Sequence, residues 1–419
     1  MKKSHILFWM GLFFSVIHAQ DIGFSQLNQA LELPLFQDDN LWDDDEKAVA
    51  KRLGWPEESR TDTLASYRLY AKPPVSVLGT RPYSLALYAE RGLVQQLSLM
   101  FSNKGDIEEG KPNDTARTGD RREGVDIKTV RLLGASIKKD ADTISERLTH
   151  LLGEPKSEGF GVGAQMERIL RWDWKGHAIL LAAPPKEYAS IRILPVEAAE
   201  NDGKVERIHK EELKEMLLVR VEKRENGDHV IQQIPMVDQG PKGYCVPATI
   251  ERELRYLGIP CDLYLLAMKG GTMIGGGTSI FSMMESIKSL CSIYGRTIQS
   301  PKVEINSKNI AKYIDQGLPL LWCCFVDREH DRKIFERSIE RKSVTDWSAW
   351  KSKLNEFRKP ENLPKKDITA GHMRMIIGYN PETREVAISD SWGEAYKERW
   401  LTYEEAMAIS QDELIVIQW

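Results

Sequence analysis

The sequence lacks the features that mark several large classes of protein. Lysine and arginine (58) do not outnumber aspartate and glutamate (62), so the net charge of −4 gives no electrostatic reason to bind nucleic acid or an anionic membrane. Beyond Gln20 no uninterrupted apolar run is long enough to span a bilayer. Only 5 of the 419 residues are cysteine, which excludes a disulfide-dense scaffold. The length and the 42% hydrophobic content predict about two or three folded domains.

The start of the chain has the pattern of an export signal. Lys2 and Lys3 precede an apolar run, 6–17, and the small residue Ala19 follows it. This order is typical of a secretory signal peptide, and the run is shorter than the roughly 20 residues of a spanning helix. We therefore predict that residues 1–20 are a signal peptide and that the protein is exported to a bacterial periplasm or to the exterior. A membrane anchor or a buried N-terminal helix is the alternative.

Residues 21–196 are predicted to form a separate α+β accessory domain. Two helix-like stretches, which end at Leu53 and Leu152, are each followed by three strand-like pieces, so the domain is either duplicated or repeats its stop signals by chance. Between the halves, residues 102–128 are charged and nearly free of apolar side chains, which predicts a mobile, solvated loop. The residues leave three roles open for this domain: an inhibitory prodomain, a substrate- or envelope-binding module, or a scaffold.

A polar segment, residues 197–216, is predicted to link this domain to a second one, residues 217–419. Asn226-Gly227 near its start is a strong hairpin signal. Within the second domain, residues 327–366 are highly charged and are interpreted as an insertion. The glycine-rich run 275–277 lacks the lysine of a phosphate-binding loop, so it is interpreted as a flexible turn or a lining of a substrate cleft.

Cys245 stands at the predicted start of a helix. It follows a glycine-containing loop and precedes Pro247, which is tolerated in the first turn of a helix, and the helix is expected to run to about Leu257. The helix dipole and the free N–H groups at that end favour a thiolate and lower the pKa of a thiol. A buried structural cysteine is the alternative. One face of the helix is expected to remain in solvent: Glu251, Arg252 and Arg255.

The other four cysteines carry no recognisable motif. Cys323 and Cys324 lie in a predicted buried strand, where adjacent side chains point to opposite faces. Their spacing from Cys261 and Cys291 does not match a zinc site, so neither a metal nor another cofactor is predicted. The odd number of cysteines leaves at least one unpaired thiol within the chain.

His372 and Asp390 lie at the two ends of a predicted hairpin that turns near Pro381. A four-residue loop alone would place the two side chains on opposite faces of the sheet, whereas an odd loop or a bulge would place them on one face. Together with Cys245 they supply a nucleophile, a base and an orienting acid. A histidine with a purely structural role is the alternative.

Gln239, Cys245, His372 and Asp390-Ser391-Trp392-Gly393 resemble the pattern of the papain-like cysteine peptidases over about residues 231–419. Gln239 precedes Cys245 by six residues, and the flanking residues are most similar to the double-glycine leader (bacteriocin-processing) peptidases, which use an aspartate as the third member. The resemblance implies an α+β fold in which a helix bearing Cys245 packs against an antiparallel sheet. It also implies a Cys-His-Asp triad and a Gln239 side chain that helps to bind the oxyanion.

The function implied is that of an exported cysteine peptidase acting on a peptide or protein substrate without a cofactor. Two alternatives remain: a transglutaminase-like acyl transferase, and a catalytically inactive envelope-binding or adhesion protein on the same fold. Trp392 is interpreted either as a shield for the contact between His372 and Asp390 or as a plain core residue. The leader-peptide substrate is not implied, because that branch is fused to a membrane exporter and works in the cytoplasm.

Overall fold

The chain folds as a mixed α+β protein, as predicted. The structure, a computed structural model, describes residues 22–72, 74–105, 127–240, 243–274 and 277–419. The predicted signal peptide lies outside the described residues. Within them the chain forms two antiparallel sheets with helices packed on both. In the same ranges no helix is both long enough and apolar enough to cross a membrane.

The first domain is built on one sheet. Its helices are α1 (Phe24–Leu31), α2 (Glu46–Leu53), α3 (Ile127–Leu152) and α4 (Val196–Glu200). Its strands are β1 (Glu57–Arg60), β2 (Leu64–Tyr70), β3 (Ser84–Glu90), β4 (Leu93–Asn103), β5 (Lys156–Phe160), β6 (Glu167–Trp174), β7 (His177–Ala182) and β8 (Tyr188–Pro195). The described strands lie side by side in the order β1-β2-β3-β4-β8-β7-β6-β5.

The first domain has two halves, and each half has one helix followed by four strands. Three strands were predicted for each half. α2 precedes β1–β4 and α3 precedes β5–β8, and the strand order of the second half mirrors that of the first. The strands missing from the prediction, β1 and β5, form the two edges of the sheet. An edge strand pairs on one side only and tolerates charged residues, so it lacks a clear apolar alternation. Duplication of the unit stays a prediction.

Contacts with the rest of the protein shorten the loop predicted at 102–128. β4 extends to Asn103, and the Lys104 side chain is buried, where its amino group forms an ion pair with Glu187 and donates to the carbonyl of Ala267 at 3.4 Å. These partners are distant in sequence, so composition alone could not reveal them. Residues 106–126 lie outside the described residues.

The second domain is built on the other sheet. Its helices are α5 (Lys210–Leu218), α6 (Cys245–Tyr256), α7 (Leu263–Lys269), α8 (Ile280–Ile293), α9 (Ser307–Ile314), α10 (Arg328–Arg341), α11 (Trp347–Phe357) and α12 (Tyr403–Ile409). Its strands are β9 (Val221–Lys223), β10 (His229–Ile231), β11 (Thr297–Gln299), β12 (Leu320–Phe325), β13 (Gly371–Asn380), β14 (Glu385–Ser389), β15 (Arg399–Thr402) and β16 (Ser410–Gln418). β13 pairs with β12 and β10, and β14 and β15 follow along its other edge.

The segment predicted as a linker, 197–216, contains the end of α4 and most of α5. Leu213 and Leu217 of α5 are buried in the core of the second domain. The predicted insertion, 327–366, forms α10 and α11, and Trp350 of α11 is buried. Both segments therefore contain helices and contribute side chains to the packed domain.

α6 is covered on the face that was predicted to be exposed. Glu251 and Arg252 are buried, and only Arg255 of that set keeps partial exposure. The hydroxyl of Tyr88 in β3 donates to Glu251 at 3.3 Å, and Arg252 donates to the carbonyl of Pro235 at 2.9 Å. The prediction of a solvent face was wrong because the first domain covers Glu251 and other segments of the second domain cover Arg252. The charge pattern of one helix cannot reveal either neighbour.

Candidate active site

α6 places Cys245 at its first turn and is fastened to the hairpin of β13 and β14. Cys245 is the first residue of the helix, as predicted, and is only partly exposed. The hydroxyl of Thr249, one turn later, lies 3.4 Å from the carbonyl of Met373 and 3.3 Å from the hydroxyl of Ser391. These contacts hold the helix end against the two segments that carry His372 and Asp390.

A bulge places His372 and Asp390 on the same face of the sheet. The loop between β13 and β14 has four residues, 381–384, a length that by itself would put them on opposite faces. The register shifts between Ile376 and Gly378, so one extra residue of β13 reverses the parity. Of the arrangements that the sequence left open, the structure contains the bulge.

His372 lies between Cys245 and Asp390. Its Nε2 is 2.7 Å from Oδ1 of Asp390, and its side chain is 6% exposed. Nδ1 is the ring nitrogen that does not face Asp390, and the Cys245 thiol is close enough to the His372 side chain for each group to shift the pKa of the other. The three residues proposed from the sequence are thus brought together, in the order of nucleophile, base and orienting acid.

The contact shifts the pKa values of both the Cys245 thiol and the His372 imidazole. Burial acts to raise the pKa of Cys245, but the hydrogen bond and charge of His372, with backbone hydrogen bonds at Met373 and Val246, lower it overall. Burial acts to lower the pKa of His372, but Asp390 and Cys245 raise it overall. The two shifts together favour a thiolate beside an imidazolium.

The pKa values of the other four cysteines are raised, not lowered. All five are free thiols, but burial raises the pKa of Cys261 and Cys323 well above the usual value and that of Cys291 and Cys324 to about 12. Only Cys245 therefore combines partial exposure with a lowered pKa. Within the described ranges, no group of three or more His, Cys, Asp or Glu side chains is arranged to hold a metal ion.

Two buried arginines hold Asp390 as a carboxylate. Arg374 Nε is 3.0 Å from Oδ1 of Asp390, and Arg399 Nη2 is 2.5 Å from Oδ2. Asp331 of α10 forms ion pairs with the same two arginines at 2.5 and 2.9 Å. Although burial acts to raise the pKa of Asp390, the arginines and His372 hold it well below its usual range. We call these four residues, Asp331, Arg374, Asp390 and Arg399, the charge ring.

The other three members of the charge ring were not predicted from the sequence: Arg374 and Arg399, which pair with Asp390, and Asp331, which pairs with both arginines. Arg374 carried a usable signal, because it interrupts an apolar strand two residues after His372 and so shares that residue's face. Burial of a charge favours pairing with an opposite charge, and Asp390 is the acid at that end of the hairpin. Asp331 gave no such signal in the sequence, since it lies in a helix with many other charged residues.

Trp392 covers the imidazole of His372. The two rings are stacked, with centroids 4.7 Å apart and an angle of 26° between their planes. The guanidinium groups of Arg374 and Arg399 lie 5.6 and 5.5 Å from the Trp392 ring centroid, within the range of cation–π contacts. This position fits the interpretation of Trp392 as a shield for the contact between His372 and Asp390.

Gln239 lies in the loop before Cys245 and next to the segment of Asp390. Its backbone N–H donates to the carbonyl of Ser391 at 2.9 Å. On the other side of the loop, Gly277 N–H donates to the Gly243 carbonyl at 3.4 Å, so the end of the glycine-rich run contacts this loop. Residues 241–242 and 275–276 lie outside the described residues.

Comparison with protein-family models matches residues 231–413 to the family described as Peptidase_C39 like family. No curated protein sequence matches the chain. The matched segment contains Cys245, His372 and Asp390, together with α6 and the hairpin that carry them. The C-terminal part of the chain is therefore a peptidase C39-like domain, related to the papain-like cysteine peptidases.

Proposed function

We propose that the second domain is an active cysteine peptidase that hydrolyses peptide bonds with Cys245 as nucleophile, His372 as base and Asp390 as orienting residue. One observation carries the proposal: a partly exposed thiol of lowered pKa contacts a histidine that is itself bound to a buried carboxylate. A structural cysteine needs none of these features. Retention of all of them is also unexpected for an inactive envelope-binding relative.

In the first half of the reaction, the Cys245 thiolate attacks the carbonyl carbon of the scissile peptide bond and a C–S bond forms. The carbonyl oxygen becomes an oxyanion. When the intermediate collapses, the C–N bond breaks and the imidazolium of His372 gives its proton to the leaving amine. Asp390 keeps the imidazole in the required orientation and stabilises its charged form.

In the second half, water attacks the thioester. His372 accepts a proton from that water, a second tetrahedral intermediate forms, and its collapse breaks the C–S bond. The carboxylic acid product leaves and Cys245 returns to the thiolate beside the imidazolium. We assign oxyanion binding in both halves to the Gln239 side-chain amide and the backbone N–H of Cys245.

Alkylation by iodoacetamide at graded pH tests the reactive pair. Cys245 should be labelled well below pH 8.5, the approximate pKa of a free thiol, because His372 stabilises its thiolate. The other cysteines should stay unlabelled in the folded protein, since the pKa values of all four are raised and Cys291, Cys323 and Cys324 are also buried. Mass spectrometry of tryptic peptides identifies the labelled residue.

The Cys245→Ser protein is the matched control, and it should take up label only after unfolding in urea. Labelling that begins only near the free-thiol pKa, or that spreads over several cysteines, would contradict the ion pair. Incubation of the parent with a peptide library, with and without added amines, then separates hydrolysis from acyl transfer. Products with new amide bonds would replace the peptidase by a transglutaminase-like enzyme.

Gln239→Ala should separate oxyanion binding from formation of the nucleophile. The pKa of Cys245 depends on His372 and on backbone groups, so the pH dependence of alkylation should not change. Turnover should fall on the order of a hundredfold, the typical loss for one oxyanion donor. Gln232→Ala, a change in a glutamine that donates to Glu222 on the surface, is the control and should keep parental turnover. Parental turnover in Gln239→Ala would reduce Gln239 to an ordinary loop residue.

We also propose that the protein acts after export, to a periplasm or the exterior. The proposal rests on the basic, apolar and small-residue order of residues 1–20. N-terminal sequencing of the protein from the periplasmic and extracellular fractions tests it. A mature chain that starts next to Ala19 or Gln20 is the expected result, and an intact Met1 in the cytoplasmic fraction would contradict it.

A further inference from the structure

Residues 236–240, which we call the Gln239 segment, are held by side chains of the first domain. The backbone N–H of Asp238 donates to Oε1 of Glu58 at 2.8 Å, and the carbonyl of Asp238 accepts from the hydroxyl of Tyr70 at 2.6 Å. The N–H of Met236 donates to the hydroxyl of Ser59 at 2.8 Å. The residue immediately before Gln239 thus has both of its backbone polar groups bound by another domain.

The second domain holds the same segment from the opposite side. Gln239 N–H donates to the Ser391 carbonyl at 2.9 Å. Within the segment itself, Gly240 N–H donates to the Asp238 side chain at 2.8 Å. Gly240 has a positive φ of 69°, and a Cβ atom there would lie 2.9 Å from the Tyr70 ring. The tyrosine ring therefore packs directly on the backbone that follows Gln239.

The two anchors are themselves fixed. The Glu58 side chain is 4% exposed and also accepts hydrogen bonds from Arg68 at 2.7 Å and from Ser66 at 3.0 Å. Tyr70 ends β2, and its ring packs edge to face against Tyr83 with centroids 5.6 Å apart. The two anchors lie in neighbouring strands, Glu58 at the register shift of β1 and Tyr70 at the end of β2.

The first domain also contacts the residue that precedes the nucleophile. The hydroxyl of Tyr244 donates to Oδ1 of Asn103 at 3.0 Å. A Cβ atom on Gly105 would overlap the Tyr244 ring at 2.2 Å, so the backbone of the first domain lies flat against that ring. Two separate parts of the first sheet thus contact the loop on both sides of its undescribed residues.

We propose that the first domain is a permanent part of the active site, and that Glu58 and Tyr70 are positioning residues that fix Gln239 for oxyanion binding. The inference rests on the proposed function, because it gives Gln239 that role. Oxyanion donors act only if they are in place before the charge develops, and misplacement by about 1 Å costs roughly a hundredfold in rate. Of the three roles considered for the first domain, this favours the scaffold over a prodomain that is removed.

Tyr70→Phe tests the inference, because it removes one hydroxyl and leaves the ring against Gly240. Amide hydrogen exchange within the Gln239 segment should become faster. The value of kcat should fall roughly tenfold with KM nearly unchanged, because misplacement of an oxyanion donor acts on the transition state. Added to Gln239→Ala, the same change should cause no further loss, since the two residues act through one interaction.

Tyr264→Phe is the matched control. Its hydroxyl bonds to Ser84 across the same contact between domains, at 2.9 Å, but no hydrogen bond joins Tyr264 to the described residues of the Gln239 segment. Unchanged exchange in Tyr70→Phe, an equal loss of kcat in the Gln239→Ala background, or the same loss in Tyr264→Phe would each overturn the inference. If the parent cleaves no peptide, the proposed function fails, and the exchange comparison alone decides whether the first domain holds this segment.

Discussion

Replacement of His372 by alanine should lower peptide hydrolysis on the order of 10⁴-fold, because the base that creates the thiolate and the acid that protonates the leaving amine are lost together. Alkylation of Cys245 at neutral pH should fall as well. The contacts with His372 lower the pKa of that thiol, whereas burial raises it, so removal of the imidazole leaves burial dominant. The measurements are kcat/KM on a peptide substrate and the pH dependence of the alkylation rate.

The same substitution should leave the domain folded. Asp390 loses one of its partners, but Arg374 and Arg399 remain at ion-pair distance, so no unpaired buried charge results. We expect a loss in the free energy of unfolding of about 1 kcal/mol, from the imidazole's packing against Trp392. His229→Ala, a change in a histidine bound to Asp315, is the control and should retain activity. Full hydrolysis by His372→Ala, or its failure to fold, would contradict the assignment.

The side chains of the candidate site could be located from the sequence because each lies in a short segment with a recognisable local pattern. Cys245 stands between a glycine-containing loop and Pro247, and His372 and Asp390 bracket one hairpin. The sequence also showed that His372 and Asp390 could share a face only if the hairpin had an odd loop or a bulge. The bulge near Ile377 that meets the condition could not be predicted, since it depends on how β13 pairs with β12 and β14.

The parts that sequence could not predict depend on contacts between distant segments. Glu251 and Arg252 have the charge pattern of a solvent-exposed helix face, but the first domain and the Ser389–Ser391 segment cover them. Edge strand β1 is polar because only one of its sides is paired. Asp331 looks like any charge on a surface helix until α10 is packed on β15. In each case the local sequence does not reveal which distant segment packs against the residue or strand.

The final prediction concerns the charge ring, where two single substitutions should both lower stability but shift the pKa values of Cys245 and His372 in opposite directions. Two aspartates and two arginines give it a net charge of zero, and the side chains of Arg374 and Arg399 are 1% exposed. Asp331→Asn leaves an excess positive charge and Arg399→Gln an excess negative one. Each should lower the free energy of unfolding by about 3–5 kcal/mol, the usual cost of an uncompensated buried charge. Urea unfolding measures both.

The pH dependence of kcat/KM should move in opposite directions in the two variants. Excess positive charge stabilises the Cys245 thiolate and destabilises the His372 imidazolium, so both pKa values fall and both limbs of the profile shift to lower pH. Excess negative charge raises both pKa values and shifts both limbs to higher pH. Glu336→Gln, which breaks the exposed Arg332–Glu336 pair on the same helix as Asp331, should change neither stability nor profile.

The double variant, Asp331→Asn with Arg399→Gln, restores a net charge of zero to the ring. Its loss of unfolding free energy should therefore be smaller than the sum of the two single losses, and its pH profile should return toward that of the parent. Additive losses, or shifts of the two single profiles in the same direction, would mean that Asp331 and Arg399 do not act on His372 and Cys245 through a shared charge balance. Helix α10, which carries Asp331, would then support the fold of the domain without tuning the pKa values of Cys245 and His372.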